Sequence, residues 1–163
     1  MGVTDELVGN NAAFAQSFQA ASLGPEPVKK VTVVSCMDAR IDVHAVLGLR
    51  PGDAHVIRNA GGVVTDDVVR SLVLSQRLLG TEEIVVMQHT ECGLQELPED
   101  EVRVEIARDT GIEPDFPLLG FDDLEGSVRR SIGRLSSDPL LPHRSSVRGF
   151  VYDVRSGRVT EVA

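Results

Sequence analysis

Apolar positions along the chain change their period from segment to segment, and the changes mark the elements. Leu7, Phe14 and Phe18 recur at helical spacing behind Thr4-Asp5-Glu6, a hydroxyl cap with acids in the first turn, so a helix is expected to run to about Ala21. Gly24-Pro25-Glu26-Pro27 breaks it. Val31, Val33 and Val34 then make a β-branched run that reads as a short buried strand ending at Cys36. Asp42 to Leu47, closed by Gly48, reads as a short helix, and Arg50-Pro51-Gly52-Asp53 as a turn into a second strand over Ala54 to Ile57. Thr65-Asp66-Asp67 caps a helix reaching Leu79. Val68, Leu72, Ser75 and Leu79 line one face of it and Val69, Val73 and Gln76 the next, a stripe wide enough to pack on a sheet and also on a partner.

A third strand is expected over Glu83 to Gln88, followed by a charged helix from Pro98 to Asp109 whose acids form a solvated face. Pro114, Pro117 and Gly120 mark a loop. Asp122 to Leu135 is amphipathic, with Leu124, Val128, Ile132 and Leu135 inward and Arg129, Arg130 and Arg134 outward. A last strand, Val147 to Val154, turns at Ser156-Gly157 into a closing hairpin over Arg158 to Val162. Strands separated mostly by helices predict an α/β fold with a mainly parallel central sheet flanked by helices. Residues 1–163 read as one domain, of which 1–27 form an amino-terminal helical arm. That arm packs either on its own domain or on a partner subunit, and the sequence leaves both open.

Composition narrows the function. With 163 residues and 42% hydrophobic content the chain can bury a core without disulfide staples. A net charge of -9 repels polyphosphate backbones, and 4% aromatics with no tryptophan supply no stacking platform, which excludes nucleic acid as a partner. No apolar run approaches the roughly 20 residues of a spanning helix, so no membrane is expected. Two distant cysteines and the lack of a charged-then-apolar leader point to a reducing cytoplasm.

The chemistry gathers at strand ends. Cys36 closes the first strand, and the third ends in His89-Thr90-Glu91-Cys92-Gly93. In parallel sheets ligands sit at the carboxyl ends of the strands. A Cys/His/Cys set there suits zinc, which favours tetrahedral sulfur and nitrogen coordination, and three protein ligands rather than four leave a position for water. Zinc would acidify such a water and polarise an incoming oxygen. Asp38 and Arg40 follow Cys36 at alternate positions, which on an extended segment aims their side chains the same way. Asp38 would either bind the metal as a fourth ligand or accept a proton from the nucleophile, and pairing with Arg40 would decide between these. Arg58-Asn59-Ala60-Gly61-Gly62 follows the second strand, its glycines allowing a tight turn or close approach to a ligand.

Cys36-Met-Asp38-Ala-Arg40, Arg58-Asn59-Ala60-Gly61-Gly62 and His89-Thr-Glu-Cys92-Gly93 resemble, in order, the signature blocks of the β-class carbonic anhydrases. The likeness runs from Val31 to Gly93, with a weaker echo from Gly149 onward. It implies zinc held by Cys36, His89 and Cys92, an Asp38–Arg40 dyad, and contact of the product oxyanion with backbone near Gly61 and Gly62. It also implies hydration of carbon dioxide to bicarbonate, and a homodimer, or a dimer of dimers, with amino-terminal helices wrapped across partners. Glu91 stands where the family commonly has aspartate, Gln88 where glycine is common, and Val33 where some members place the tryptophan of an inhibitory bicarbonate pocket. Carbonyl sulfide or carbon disulfide as substrate, and a noncatalytic zinc or bicarbonate-binding module, are the alternatives. His44, His55 and His143 are the candidate proton shuttles, each also readable as an ordinary surface or structural histidine.

Overall fold

The computed structural model describes residues 2–162; Met1 and Ala163, the ends of the expected 1–163 domain, lie outside the described residues. The elements in chain order are α1 (Val3–Gln16), β1 (Val31–Cys36), α2 (Val43–Leu47), β2 (Ala54–Asn59), a 3-10 turn (Ala60–Gly62), α3 (Asp66–Leu78), β3 (Glu83–His89), α4 (Glu99–Thr110), α5 (Leu124–Ser137), β4 (Val147–Tyr152) and β5 (Val159–Val162). They form one five-stranded sheet in the order β2-β1-β3-β4-β5. The first four strands are parallel and β5 joins antiparallel to β4, so the sheet is mixed but mostly parallel.

Two apolar layers cover the sheet. On one face Val34, Ile84 and Val86 pack with Val68, Val69 and Leu72 of α3 and Leu135 of α5. On the other, Val33 and Met87 pack with Ile41, Val43, Phe121 and Tyr152, and both cysteines belong to this second layer. Strand alternation produces the split, since neighbouring residues of β1 and β3 face opposite sides. Of the caps, Thr65 forms as the sequence led one to expect, Thr4 does not because Gly2 caps the first helix, and Asp123 is a cap that the sequence pattern did not mark. Thr65 accepts from the Val68 amide at 3.3 Å and Asp123 from the Gly126 amide at 2.9 Å, closing the starts of α3 and α5. Gly111 ends α4 in the left-handed region.

The first helix differs from expectation at both ends. It starts at Val3, with the Gly2 amide donating to Asp5 Oδ2 at 2.9 Å, and it stops at Gln16 rather than near Ala21. Ser17 ends it by donating its hydroxyl to the Phe14 carbonyl, competing with the helical ladder. No residue of α1 is buried.

Gly149 lies where α5 crosses β4, and a Cβ there would stand 2.3 Å from Val128 Cγ1 and 2.6 Å from Ile132 Cδ1. Val128 is fully buried and has nowhere to move. Gly149→Val should therefore destabilise the fold by about 1–3 kcal/mol despite valine's strand preference. A lower urea midpoint with unchanged denaturant slope is the expected result; an unchanged midpoint would mean that α5 can lift at no cost.

Candidate metal centre

β1 and β3 are adjacent and parallel, so their carboxyl ends deliver Cys36 and His89 side by side. The chain then turns through Thr90 and Glu91, the latter at φ +55°, and brings Cys92 back toward them. The ligand atoms of Cys36, His89 and Cys92 lie within 4.8 Å of one another, and all three residues are buried. His89 is oriented by its other nitrogen, whose Nδ1 donates to the Thr90 carbonyl at 2.8 Å. Its Nε2 is buried and has no hydrogen-bond partner among the described residues. A buried polar atom without a partner is costly, and a cation between imidazole and thiols removes that cost.

The thiols are arranged for the same occupant. Cys36 is drawn well below the ordinary thiol pKa, first by the neighbouring Cys92 thiol and then by His89 and the backbone amides of Asp38 and Gly61 close to its sulfur, against the opposing effect of burial. Cys92 is pushed correspondingly up by the Cys36 thiolate and by burial. Burial works against a proton on His89, and the neighbouring Cys36 outweighs it and raises the imidazole pKa. Three groups competing for shared protons are well suited to a dication that displaces those protons. Two sulfurs and a nitrogen, with no fourth cysteine or histidine in the cluster among the described residues, fit zinc in a site with one open position.

Asp38 sits beside this cluster, its Oδ2 3.7 Å from His89 Nε2. Arg40 holds it with one edge of the guanidinium, Nε donating to Oδ1 at 3.0 Å and Nη2 to Oδ2 at 2.7 Å, while the Arg40 amide donates to Oδ1 at 2.9 Å. These hydrogen bonds keep the Asp38 carboxyl far below the usual carboxylate range. The pairing forms, but not by the extended alternation expected from the sequence. The Ile41 amide donates to the Asp38 carbonyl at 3.0 Å, so the segment is a turn, and the turn itself folds Arg40 back onto Asp38.

Arg58 takes a part that its place near the end of β2 did not disclose. Its Nε donates to the Cys36 carbonyl at 2.9 Å and its Nη2 to the Asp38 carbonyl at 2.7 Å, so one guanidinium fixes the backbone on both sides of Met37. Gly61 and Gly62 are both buried in the left-handed region, at φ +76° and +61°. The close approach Gly62 permits is to the chain's own strand ends, because a Cβ there would stand 2.8 Å from the Cys36 nitrogen, whereas one on Gly61 would meet the Leu94 side chain. Of the candidate shuttles, His44 and His143 are exposed. His55 is engaged elsewhere, bonding Ser75 Oγ at 2.7 Å and the Pro25 carbonyl at 3.2 Å.

Residues 31–105 match the family model described as carbonic anhydrase. The chain is 46% identical to Beta-carbonic anhydrase 1 of Mycobacterium tuberculosis over 99% of both proteins. It is 35% identical to a carbon disulfide hydrolase of Acidithiobacillus thiooxidans over 80% of this chain and 76% of that one. Its fold superposes on the carbonic anhydrase of Streptococcus mutans with a TM-score of 0.94 at 44% identity, covering 100% of this chain and 99% of the other. Full-length identity at this level, on a chain whose strand ends assemble a Cys/His/Cys site beside a paired aspartate, places the protein in the β-carbonic anhydrase family.

Proposed function

We infer that this protein catalyses the reversible hydration of carbon dioxide to bicarbonate and a proton, with zinc as its cofactor. The observation that carries the reading is the buried, unpartnered Nε2 of His89 beside two thiols, with a carboxylate held 3.7 Å away. Cys36, His89 and Cys92 would hold the metal. Zinc, when bound, makes water a nucleophile at neutral pH by lowering its pKa to about 7, a figure that carbonic anhydrase itself supplied.

The chain's own groups then have separate tasks. Asp38, kept ionised by Arg40, is an acceptor only; its Oδ2 takes the hydrogen bond from the nucleophile and turns the oxygen lone pair toward carbon. Arg40 keeps that carboxylate from acting as a ligand itself. Backbone near Gly61 and Gly62 is assigned to the product oxyanion, an assignment supported by the burial of both glycines and the closeness of Gly62 to the Cys36 nitrogen. Asp38→Ala should keep zinc and lose roughly ten- to a hundredfold in turnover, the usual cost of a lost partner beside a metal.

The decisive experiment is stopped-flow carbon dioxide hydration on protein of known zinc content, at neutral and alkaline pH. Turnover proportional to zinc supports the reading, and full zinc occupancy without turnover overturns it. Identity to a carbon disulfide hydrolase favours a second substrate, carbon disulfide, attacked as a similar linear molecule. Sulfide release measured on the same preparation separates the two activities.

Assembly and location complete the proposal. α1 buries nothing in its own chain, and Leu7, Phe14 and Phe18 are 62%, 59% and 50% exposed, so residues 1–27 are assigned as an arm that covers a partner in a homodimer or a dimer of dimers. The remainder of 1–163 forms the domain that carries the site. A cytoplasmic location fits the two free cysteines, which must stay reduced to bind metal.

A further inference from the structure

Asp38 and Arg40 are half of a longer row of charges. Glu91, between the two ligands of the third strand's loop, accepts a hydrogen bond from Arg40 Nη2 at its carbonyl, 3.0 Å away, and holds its carboxylate 3.6 Å from Arg40 Nη1. Its other carboxylate oxygen is bonded by Nε of Arg155. The order is Arg155–Glu91–Arg40–Asp38, alternating in sign and ending at the metal centre.

The row is built on a rigid frame. Arg155 stands in the turn between β4 and β5, where Asp153 Oδ1 accepts from the Arg155 and Ser156 amides, each at 2.8 Å. Those amides hold the Asp153 carboxyl below its ordinary pKa. The turn is joined to the ligand loop by Thr90, whose amide donates to the Tyr152 carbonyl at 3.0 Å and whose hydroxyl accepts from the Val154 amide at 3.2 Å. Glu91 itself is held in the left-handed region, which costs a non-glycine residue roughly 1–2 kcal/mol, and in that conformation both its carbonyl and its carboxylate reach Arg40.

Two carboxylates therefore compete for Arg40. We propose that Arg155 sets the outcome of that competition, engaging Glu91 so that Arg40 stays on Asp38 and the metal's open position stays open. Arg155 and Glu91 are positioning residues, acting on the site only through Arg40. This inference rests on the dyad reading above and adds to it a control from the turn that follows β4. All four side chains except Asp38 are well exposed, so the pairs add little to stability. Their effect is on the partition of one guanidinium between two acceptors, and an exposed pair shifts such an equilibrium up to about fivefold.

The test pairs two opposite variants on zinc-loaded protein, reading kcat for carbon dioxide hydration and the rate at which excess EDTA strips the metal. Arg155→Ala frees Glu91 to draw Arg40 from Asp38; kcat should fall, by up to about threefold when a fivefold shift acts on a guanidinium that starts mostly on Asp38, and zinc should leave more slowly because Asp38 is free to close the site. Glu91→Gln removes the competitor, leaving kcat at or above wild type and zinc loss no slower. Arg155→Lys, which keeps the charge, should restore most of both readouts. In the Glu91→Gln background, Arg155→Ala should do nothing. Equal losses from Arg155→Ala with and without Glu91, or shifts of the two single variants in the same direction, would overturn the proposal. Asp38→Ala run alongside isolates the underlying reading: wild-type turnover in that variant refutes the dyad, whatever Arg155 does.

Discussion

Cys36→Ser should lose zinc and carbon dioxide hydration together while keeping the fold. The thiolate at this position is prepared by the chain before any metal arrives, because the Cys92 thiol, His89 and the amides of Asp38 and Gly61 all stabilise its charge. Its backbone is fixed as well, by the Arg58 bond to its carbonyl. Serine nearly matches cysteine in size but gives a hard, barely acidic oxygen where zinc prefers a soft thiolate. Partners outside the coordination sphere already cost ten- to a hundredfold in metal affinity when lost, so loss of a ligand at a three-ligand site should exceed ~100-fold. Zinc content after gel filtration and stopped-flow turnover measure the two effects, and far-ultraviolet circular dichroism checks the fold. A variant that retains one zinc per chain would remove Cys36 from the ligand set and with it the assignment of the site.

The residues of the Cys36, His89 and Cys92 cluster were legible because Cys36 and His89 end strands that their own local pattern marks, with Cys92 three residues beyond. The β-branched run before Cys36 and the run before His89 both read as strands, and the helices between them predict a parallel sense; that β1 and β3 are direct neighbours came from the structure. The capped start of α3 was equally local, since Thr65 accepts from an amide three residues on. What the chain did not disclose was long in range or set by backbone conformation. Arg58 reaches back 22 residues to Cys36, and Arg155 reaches 64 residues to Glu91; nothing in the composition of either segment announces a partner. The dyad itself was legible but its geometry was not, because alternation on an extended strand and a turn closed by the Ile41 amide place the same two residues together. The first helix was read too long for a related reason. Phe14 and Phe18 keep helical spacing, and their rings do meet with centroids 5.7 Å apart, but hydrophobic period cannot register the hydroxyl of Ser17 ending the ladder between them.

Gly62 should prove the glycine least able to accept a side chain without harm to the site, and a comparison with Gly48 shows why. Both lie in the left-handed region, at φ +61° and +64°. A Cβ on Gly48 meets nothing within 4 Å, so Gly48→Ala bears only the conformational cost of roughly 1–2 kcal/mol. A Cβ on Gly62 stands 2.8 Å from the Cys36 nitrogen, 3.0 Å from the Ser35 carbonyl carbon and 3.3 Å from the Met87 oxygen. All three are backbone atoms of β1 and β3, which cannot swing aside as a side chain could. Gly62→Ala should therefore add about 1–3 kcal/mol of overpacking to the same conformational cost. The strain falls at the junction that delivers Cys36 and His89 in register, so zinc affinity should drop in this variant and stay near wild type in Gly48→Ala. Urea midpoints of the two variants measure the first difference and competition with a zinc chelator the second. Equal destabilisation, with equal zinc affinity, would mean that the turn at Ala60–Gly62 can move away from the strands, and that its closeness to Cys36 is not what fixes the site.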